Sequence, residues 1–416
     1  MSSGYPSGQA ELSKRGRKLV ESPPAAEYLR EHFQRSAAPH SPERPDGYIP
    51  LCIAENKLVS ELLLAKMAEC RDVPARALGY DAMTGSHSFR RALSGLFART
   101  FVGRELPPEN LAVLAGAGSV LELLFYAIAD PGDAVLVPTP SYAGFWPDLE
   151  TRDELAVVPV HTRAETGFRL GPEELEGALS SARAPVRALL FTSPDNPTGR
   201  VYSAAEVSAV IEWCARKNLH LVLDEVYALS VFGPREFVSG ARLLPTLGER
   251  VHLVWAFSKD FAASGLRVGV LASENRALLA AVDALAYWAA CSGDTQWLLE
   301  RMISDSGWVD AFTRESRRRL AEAHARVARA LDRAGLAHVG SDAGFFLLLD
   351  LRRFLTVPSF EAEALLWRRL LDVANVNLTP GSACRVSEPG FFRLCFAGVP
   401  TDVAVLGVER LARALA

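Results

Sequence analysis

Between about Leu111 and Leu271 short apolar runs alternate with longer segments of helical period. That alternation is what βαβ units around a mostly parallel sheet require. The runs LAVLAG (111–116), AVLVPTP (134–140), LAVVPV (155–160), RALLFTSP (187–194), LHLVLDEVY (219–227), VHLVWAFS (251–258) and RVGVLAS (267–273) predict strands. Between them lie helical stretches such as 203–219, where Ser203 can cap and Glu206 stands at capping-box distance. LAVLAGAGSVLELLFYAIAD (111–130) is nearly long enough to span a bilayer, but it carries Glu122 and a Gly116/Gly118 break. It reads as strand, turn and helix, not as a membrane segment.

Beyond about Asp294 the pattern changes. A long charged helix over 313–336 puts Leu320, Val327 and Leu331 on one face and its arginines in solvent. The strand GFFLLLDL (344–351), a helix near Phe360 to Val373 and the strand FFRLCFA (391–397) follow. We read 1–70 as an N-terminal arm and part of a small domain, 71–295 as a large domain and 296–416 as the rest of the small one. A chain of 416 residues suits such a division, being longer than one core usually serves.

Composition narrows the chemistry. With 49% hydrophobic and 23% charged residues the chain is globular. A formal net charge of −4 without a basic block argues against nucleic acid. The six cysteines form no CxxC pair and no two histidines stand at ligand spacing, so a metal site is not expected. Reduced thiols and an N-terminus without an apolar signal core predict a cytoplasmic protein. The first dozen residues read as disordered.

Polar residues gather where the predicted strands end, the usual ligand side of an open parallel sheet. AGAGS (115–119) joins a strand to a helix, so the backbone of Ala117, Gly118 and Ser119 could receive an anion, although such turns are often mere packing. SPDNPTG sets Asn196 in a proline-braced turn, which taken singly is more often only a turn. Asp224 ends an apolar strand with Tyr227 three residues on; it needs a cation there, unless it caps a helix. Lys259 ends the next strand and Arg267 precedes the last. A lysine held in an apolar pocket is a candidate nucleophile toward aldehydes, whereas a strand-end lysine is ordinarily surface charge.

Taken in order, SPDNPTG, DEVY, SKDF…GLRVG and FFRLCFA resemble the fold-type I pyridoxal 5′-phosphate (PLP) enzymes of aminotransferase class I/II. LCIAENKL, PTPSYAGFWPDL and LTPGSACRVSEPGFFRLCFA are similar in particular to 1-aminocyclopropane-1-carboxylate (ACC) synthases. The resemblance runs from about Ile49 to Gly398. It implies an α/β fold with a seven-stranded, mostly parallel sheet between helices, and a smaller α+β domain from both chain ends. By the same resemblance Lys259 holds PLP covalently, Asp224 pairs with the pyridine nitrogen, Asn196 and Tyr227 meet the phenolic oxygen, and Tyr142 stacks on the ring. Ala117, Gly118, Ser119, Ser258 and Arg267 hold the phosphate. Arg393 takes the substrate α-carboxylate, and Glu55 faces the amino acid and sulfonium end.

Tyr80 opens a Tyr-x4-Gly spacing to Gly85. In the resembling enzymes that spacing brings a tyrosine to the partner subunit's phosphate, which implies a homodimer with shared active sites. Three positions depart from the ACC synthase pattern. Met83 occupies the place of a tyrosine nearer the glycine, Ala256 that of a phosphate-binding serine or threonine, and Ser141 that of a second aromatic.

The resemblance implies a PLP enzyme acting on S-adenosylmethionine through a Cα carbanion, with loss of methylthioadenosine from Cγ. A variant would pass the activated Cγ to a second nucleophile. A plain aminotransferase, moving an amino group between an amino acid and a 2-oxo acid, shares Lys259, Asp224 and Arg393. A PLP-binding regulator module is the distant third reading, and it would need a DNA-binding domain that the polar residues before Gly47 do not supply.

Overall fold

The computed structural model describes residues 12–416. Of the first dozen residues, expected to be disordered, all but Leu12 lie outside the described residues. A two-residue strand, β1 (Ile49–Pro50), precedes the seven strands of the large sheet: β2 (Leu111–Leu114), β3 (Ala134–Thr139), β4 (Ala156–His161), β5 (Val186–Thr192), β6 (His220–Asp224), β7 (Val251–Ala256) and β8 (Gly269–Ala272). Then come β9 (Ala337–His338), β10 (Phe346–Asp350), β11 (Val376–Asn377), β12 (Thr379–Pro380) and β13 (Phe391–Cys395).

The large sheet has the order β2-β8-β7-β6-β5-β3-β4. Only β8 runs against its neighbours β2 and β7; the other pairs are parallel. Successive side chains of a strand face opposite ways, and here both faces are apolar. Leu221 and Leu223 of β6 and Trp255 of β7 join one buried cluster, whereas Val222 and Val254 join another on the opposite face. Continuous apolar runs are what a sheet covered on both sides demands.

A second sheet, β12-β13-β10-β9, is antiparallel, and β1 pairs with β11 in parallel. Its core takes Tyr28 to Ala54 from the N-terminal side and Leu320 to Leu415 from the C-terminal side. The helix Ser306–Arg333 connects the two cores: Val309 and Phe312 belong to the large-sheet cluster, Leu320, Val327 and Leu331 to the small one. Most of its arginines are exposed, Arg318 pairing with Glu315 and Glu322, whereas Arg319 is half-buried and donates to the Leu58 carbonyl at 2.6 Å. The capping box forms as the spacing predicts, Glu206 N–H donating to Ser203 Oγ at 3.3 Å and Ser203 N–H to Glu206 Oε2 at 2.9 Å. The stretch 111–130 is a strand, a turn and the helix Ala117–Ile128. Among the described residues no helix is long and apolar enough to cross a membrane.

Several strands end earlier than their apolar runs. The most consequential is β7, which stops at Ala256 and gives way to a helical turn, Phe257–Asp260. Lys259 therefore sits beyond the strand end, not on it. The cause is tertiary: the Asp260 carboxylate accepts from Trp255 Nε1 at 2.8 Å, Leu229 N–H at 3.0 Å and Ser230 Oγ at 2.7 Å. These three donors fold the chain back on itself.

Candidate active site

The carboxyl ends of β5, β6 and β7 open into a cavity of about 230 Å³. Asp224, the last residue of β6, stands in its wall and is 5% exposed. Among the described residues its side-chain hydrogen bonds are long, from Val226 N–H at 3.4 Å and Thr192 Oγ1 at 3.5 Å. Burial pushes this carboxyl up to about 7, so a cation placed in the cavity would restore its charge. Tyr227 and Asn196, each 2% exposed, share the wall. Tyr142 keeps 38% exposure and meets Phe145 edge-on. Its ring occupies the space that a side chain at Gly144 would need, a Cβ there falling 2.4 Å from it.

One end of the cavity is built to receive an anion. The helix Ala117–Ile128 starts there, and the first backbone N–H groups of a helix have no partners within it. Gly116 has φ +94, and a Cβ on it would lie 2.5 Å from Arg267 Nη2. Only glycine lets that guanidinium cross the turn. Arg267 itself has φ +51 and donates to the Ser264 carbonyl at 3.1 Å. Ser258, Ala117 and Gly118 complete this end.

A second cavity of about 320 Å³ adjoins the first, and Tyr142, Lys259 and Ser264 line both. Lys259 Nζ donates to the Ala54 carbonyl at 2.7 Å. Loss of hydration, then the positive charge of Arg393, lowers its amine to about 8. Glu55 also lines this cavity, 3.4 Å from Lys57 Nζ. Arg393, from β13, is 2% exposed and reaches across to the large sheet. Its Nη1 donates to Asn196 Oδ1 at 3.0 Å, and its Nη2 to the Cys52 carbonyl at 2.8 Å and to Thr379 Oγ1 at 3.1 Å.

The family model for aminotransferase class I and II matches residues 48–411. The chain belongs to that family. The 1-aminocyclopropane-1-carboxylate synthase 3 of Oryza sativa subsp. japonica is 36% identical over 401 residues, covering 90% of this chain and 88% of that protein. Synthase 6 of Arabidopsis thaliana is 33% identical over 390 residues, 89% of this chain and 79% of its own length. Among solved structures, the aspartate aminotransferase of Thermus thermophilus with maleate superposes with a TM-score of 0.79 at 24% identity, covering 97% of this chain and 100% of that one. A Pyrococcus protein, A1, gives 0.82 at 23% identity over 96% and 98% of the two chains. Both share the fold.

Members of the family use PLP held on a lysine, and this chain is a PLP-dependent enzyme. The first cavity fits that cofactor. It has an amine at its inner wall, a carboxylate short of a cation, and an anion cradle that a Cβ on Gly116 would fill. Among the described residues no group of His, Cys, Asp and Glu could hold a metal ion.

Of the residues expected from the sequence, Lys259, Asp224, Asn196, Tyr227, Tyr142, Ala117, Gly118, Ser258 and Arg267 come together at the first cavity. Arg393 and Glu55 come together at the second. Ser119 turns its hydroxyl away, donating to the Ala115 carbonyl at 3.2 Å. Tyr80 is 98% exposed and lines neither cavity of its own chain. Sequence reasoning missed Tyr28 and Ser264. Ser264 lies inside the Lys259–Arg267 segment and is within its reach; Tyr28 precedes the segment of resemblance and carries no local signal.

The lowered amine of Lys259 has a measurable consequence. In cofactor-free protein, capture of added PLP followed by its visible absorbance should rise with pH about a midpoint near 8, since the neutral amine is the nucleophile. A midpoint at the ordinary 10.5 would show a solvated amine. Stability shifts in the same sense: the unfolded chain binds the extra proton between about 8 and 10.5, so the cofactor-free fold gains stability as pH rises through that window.

Proposed function

We propose that the chain acts on S-adenosylmethionine, removing the Cα proton and releasing methylthioadenosine from Cγ. The observation that carries this reading is the pair of cavities meeting at Lys259, the larger one bearing both Arg393 and Glu55. When bound, PLP supplies an electron sink for negative charge developing at the substrate Cα. Lys259 would hold it, Asp224 would pair with its ring nitrogen, and Asn196 and Tyr227 would meet its phenolic oxygen. Tyr142 would lie over the ring, with Ala117, Gly118, Ser258 and Arg267 at the phosphate, where Ser119 could offer only its backbone N–H.

Arg393 would clamp the α-carboxylate, for which a planar guanidinium is better shaped than an ammonium. With substrate bound, the Lys259 amine would serve as the base that takes the Cα proton. An amine near 8 is well matched to that work at neutral pH. As the Cγ–S bond breaks, its electron pair leaves with methylthioadenosine. Closure of the Cα pair onto Cγ gives the cyclopropane amino acid, and capture by a second nucleophile is the variant. Glu55 stands where a carboxylate would favour the sulfonium. The ACC synthases at 33% and 36% identity support this reading.

The aminotransferase reading draws on the same Lys259, Asp224 and Arg393. Incubation of holoenzyme with S-adenosylmethionine, and separately with an amino acid plus 2-oxoglutarate, followed by mass spectrometry, decides between them. Methylthioadenosine is the expected product; glutamate without methylthioadenosine would overturn the proposal.

We further propose a homodimer in which Tyr80 serves the partner's site. In support, Tyr80 stands free at the surface, and Leu78, Tyr287 and Trp288 are 81%, 68% and 76% exposed. Apolar groups left open in this way suit an interface. Sedimentation should give twice the chain mass of 45.2 kDa, and a monomer would refute the shared site.

A further inference from the structure

Tyr28 is the one buried residue of the nine-residue helix Glu27–Arg35. It is 4% exposed, and its ring belongs to the core of the smaller sheet. Its backbone is fixed from below: Asn377 Nδ2 donates to the Tyr28 carbonyl at 2.9 Å and to Tyr48 Oη at 3.0 Å, while Asn377 Oδ1 accepts from Trp367 Nε1 at 3.2 Å. Yet Tyr28 also lines the larger cavity, with Arg393, Tyr142 and Cys52 among its neighbours there. Among the described residues its hydroxyl has no hydrogen-bond partner.

A ligand that displaces water from the cavity must itself satisfy that hydroxyl, because a polar group enclosed without a partner is destabilising. Its neighbour Arg393 is the charged group that a carboxylate would seek. A carboxylate gripped by two guanidinium hydrogens keeps further lone pairs open to a third donor. Resting on the reading of Arg393 as the carboxylate clamp, we propose that the Tyr28 hydroxyl donates a hydrogen bond to the same substrate carboxylate and is a specificity-determining residue. Burial pushes the Tyr28 phenol well above its ordinary value, so it remains a donor across the working pH range and takes no part in proton transfer.

The test uses holoenzyme of wild type and Tyr28→Phe, with L-methionine and L-methionine amide as probes, and reads dissociation constants from visible spectral changes. Phenylalanine keeps the ring and its packing; unchanged thermal midpoint and cofactor absorbance confirm the fold. A hydrogen bond to a charged group should cost the acid about ten- to a hundredfold in affinity when lost, with the amide altered less than about twofold. Equal losses for acid and amide would show a merely structural role and overturn the proposal, as would an unchanged affinity for the acid. If wild type itself binds the amide as tightly as the acid, the reading of Arg393 fails, and the proposal with it. If wild type prefers the acid and the substitution changes nothing, the Tyr28 proposal fails alone.

Discussion

An amine enclosed in a cavity must either be paired with an acid or lose its proton, and the site depends on which of these happens to Lys259. Its Nζ meets the Ala54 carbonyl, not a carboxylate. Asp224, the acid in the same cavity, is itself raised by burial to about 7. Burial thus moves both groups toward their neutral forms, so that a larger share of the amine is unprotonated than in water. The turn that carries it is anchored by Asp260, whose three donors come from β7 and from the loop just after Tyr227. One carboxylate thus ties the lysine to the segment that bears the tyrosine.

Arg393 ties the same point to the rest of the molecule. It comes from the smaller sheet, donates to Asn196 beyond β5 of the larger one, and donates to Cys52 near the N-terminal side. Hydrogen bonds from a charged group contribute about 1.5–3 kcal/mol each. Three distant stretches of chain are held together at the place where the two cavities meet. The positive charge also helps to keep the Lys259 amine low, so positioning and electrostatics come from one side chain.

Much of this is legible in the sequence. Seven apolar runs became seven strands, because a sheet covered on both faces leaves continuous apolar stretches. The helix expected near Phe360 to Val373 is the helix Phe360–Val373. The polar residues at the strand ends gathered as the topology of parallel sheets requires. What stays hidden depends on distant partners. The end of β7 is set by Asp260 and its donors, which no local propensity registers. The two-residue strands β1, β9, β11 and β12 are too short for a pattern. Tyr28 reads as one of two aromatics, with Phe33, on a largely polar helix, and only the fold brings it to the cavity that Arg393 lines.

The central claim is that Lys259 is the residue on which the cofactor is held. Borohydride reduction of the holoenzyme, followed by proteolysis and peptide mass mapping, tests it most directly. The account predicts one pyridoxyl phosphate adduct, on the peptide that contains Lys259. An adduct on a different lysine, or none at all, would contradict it.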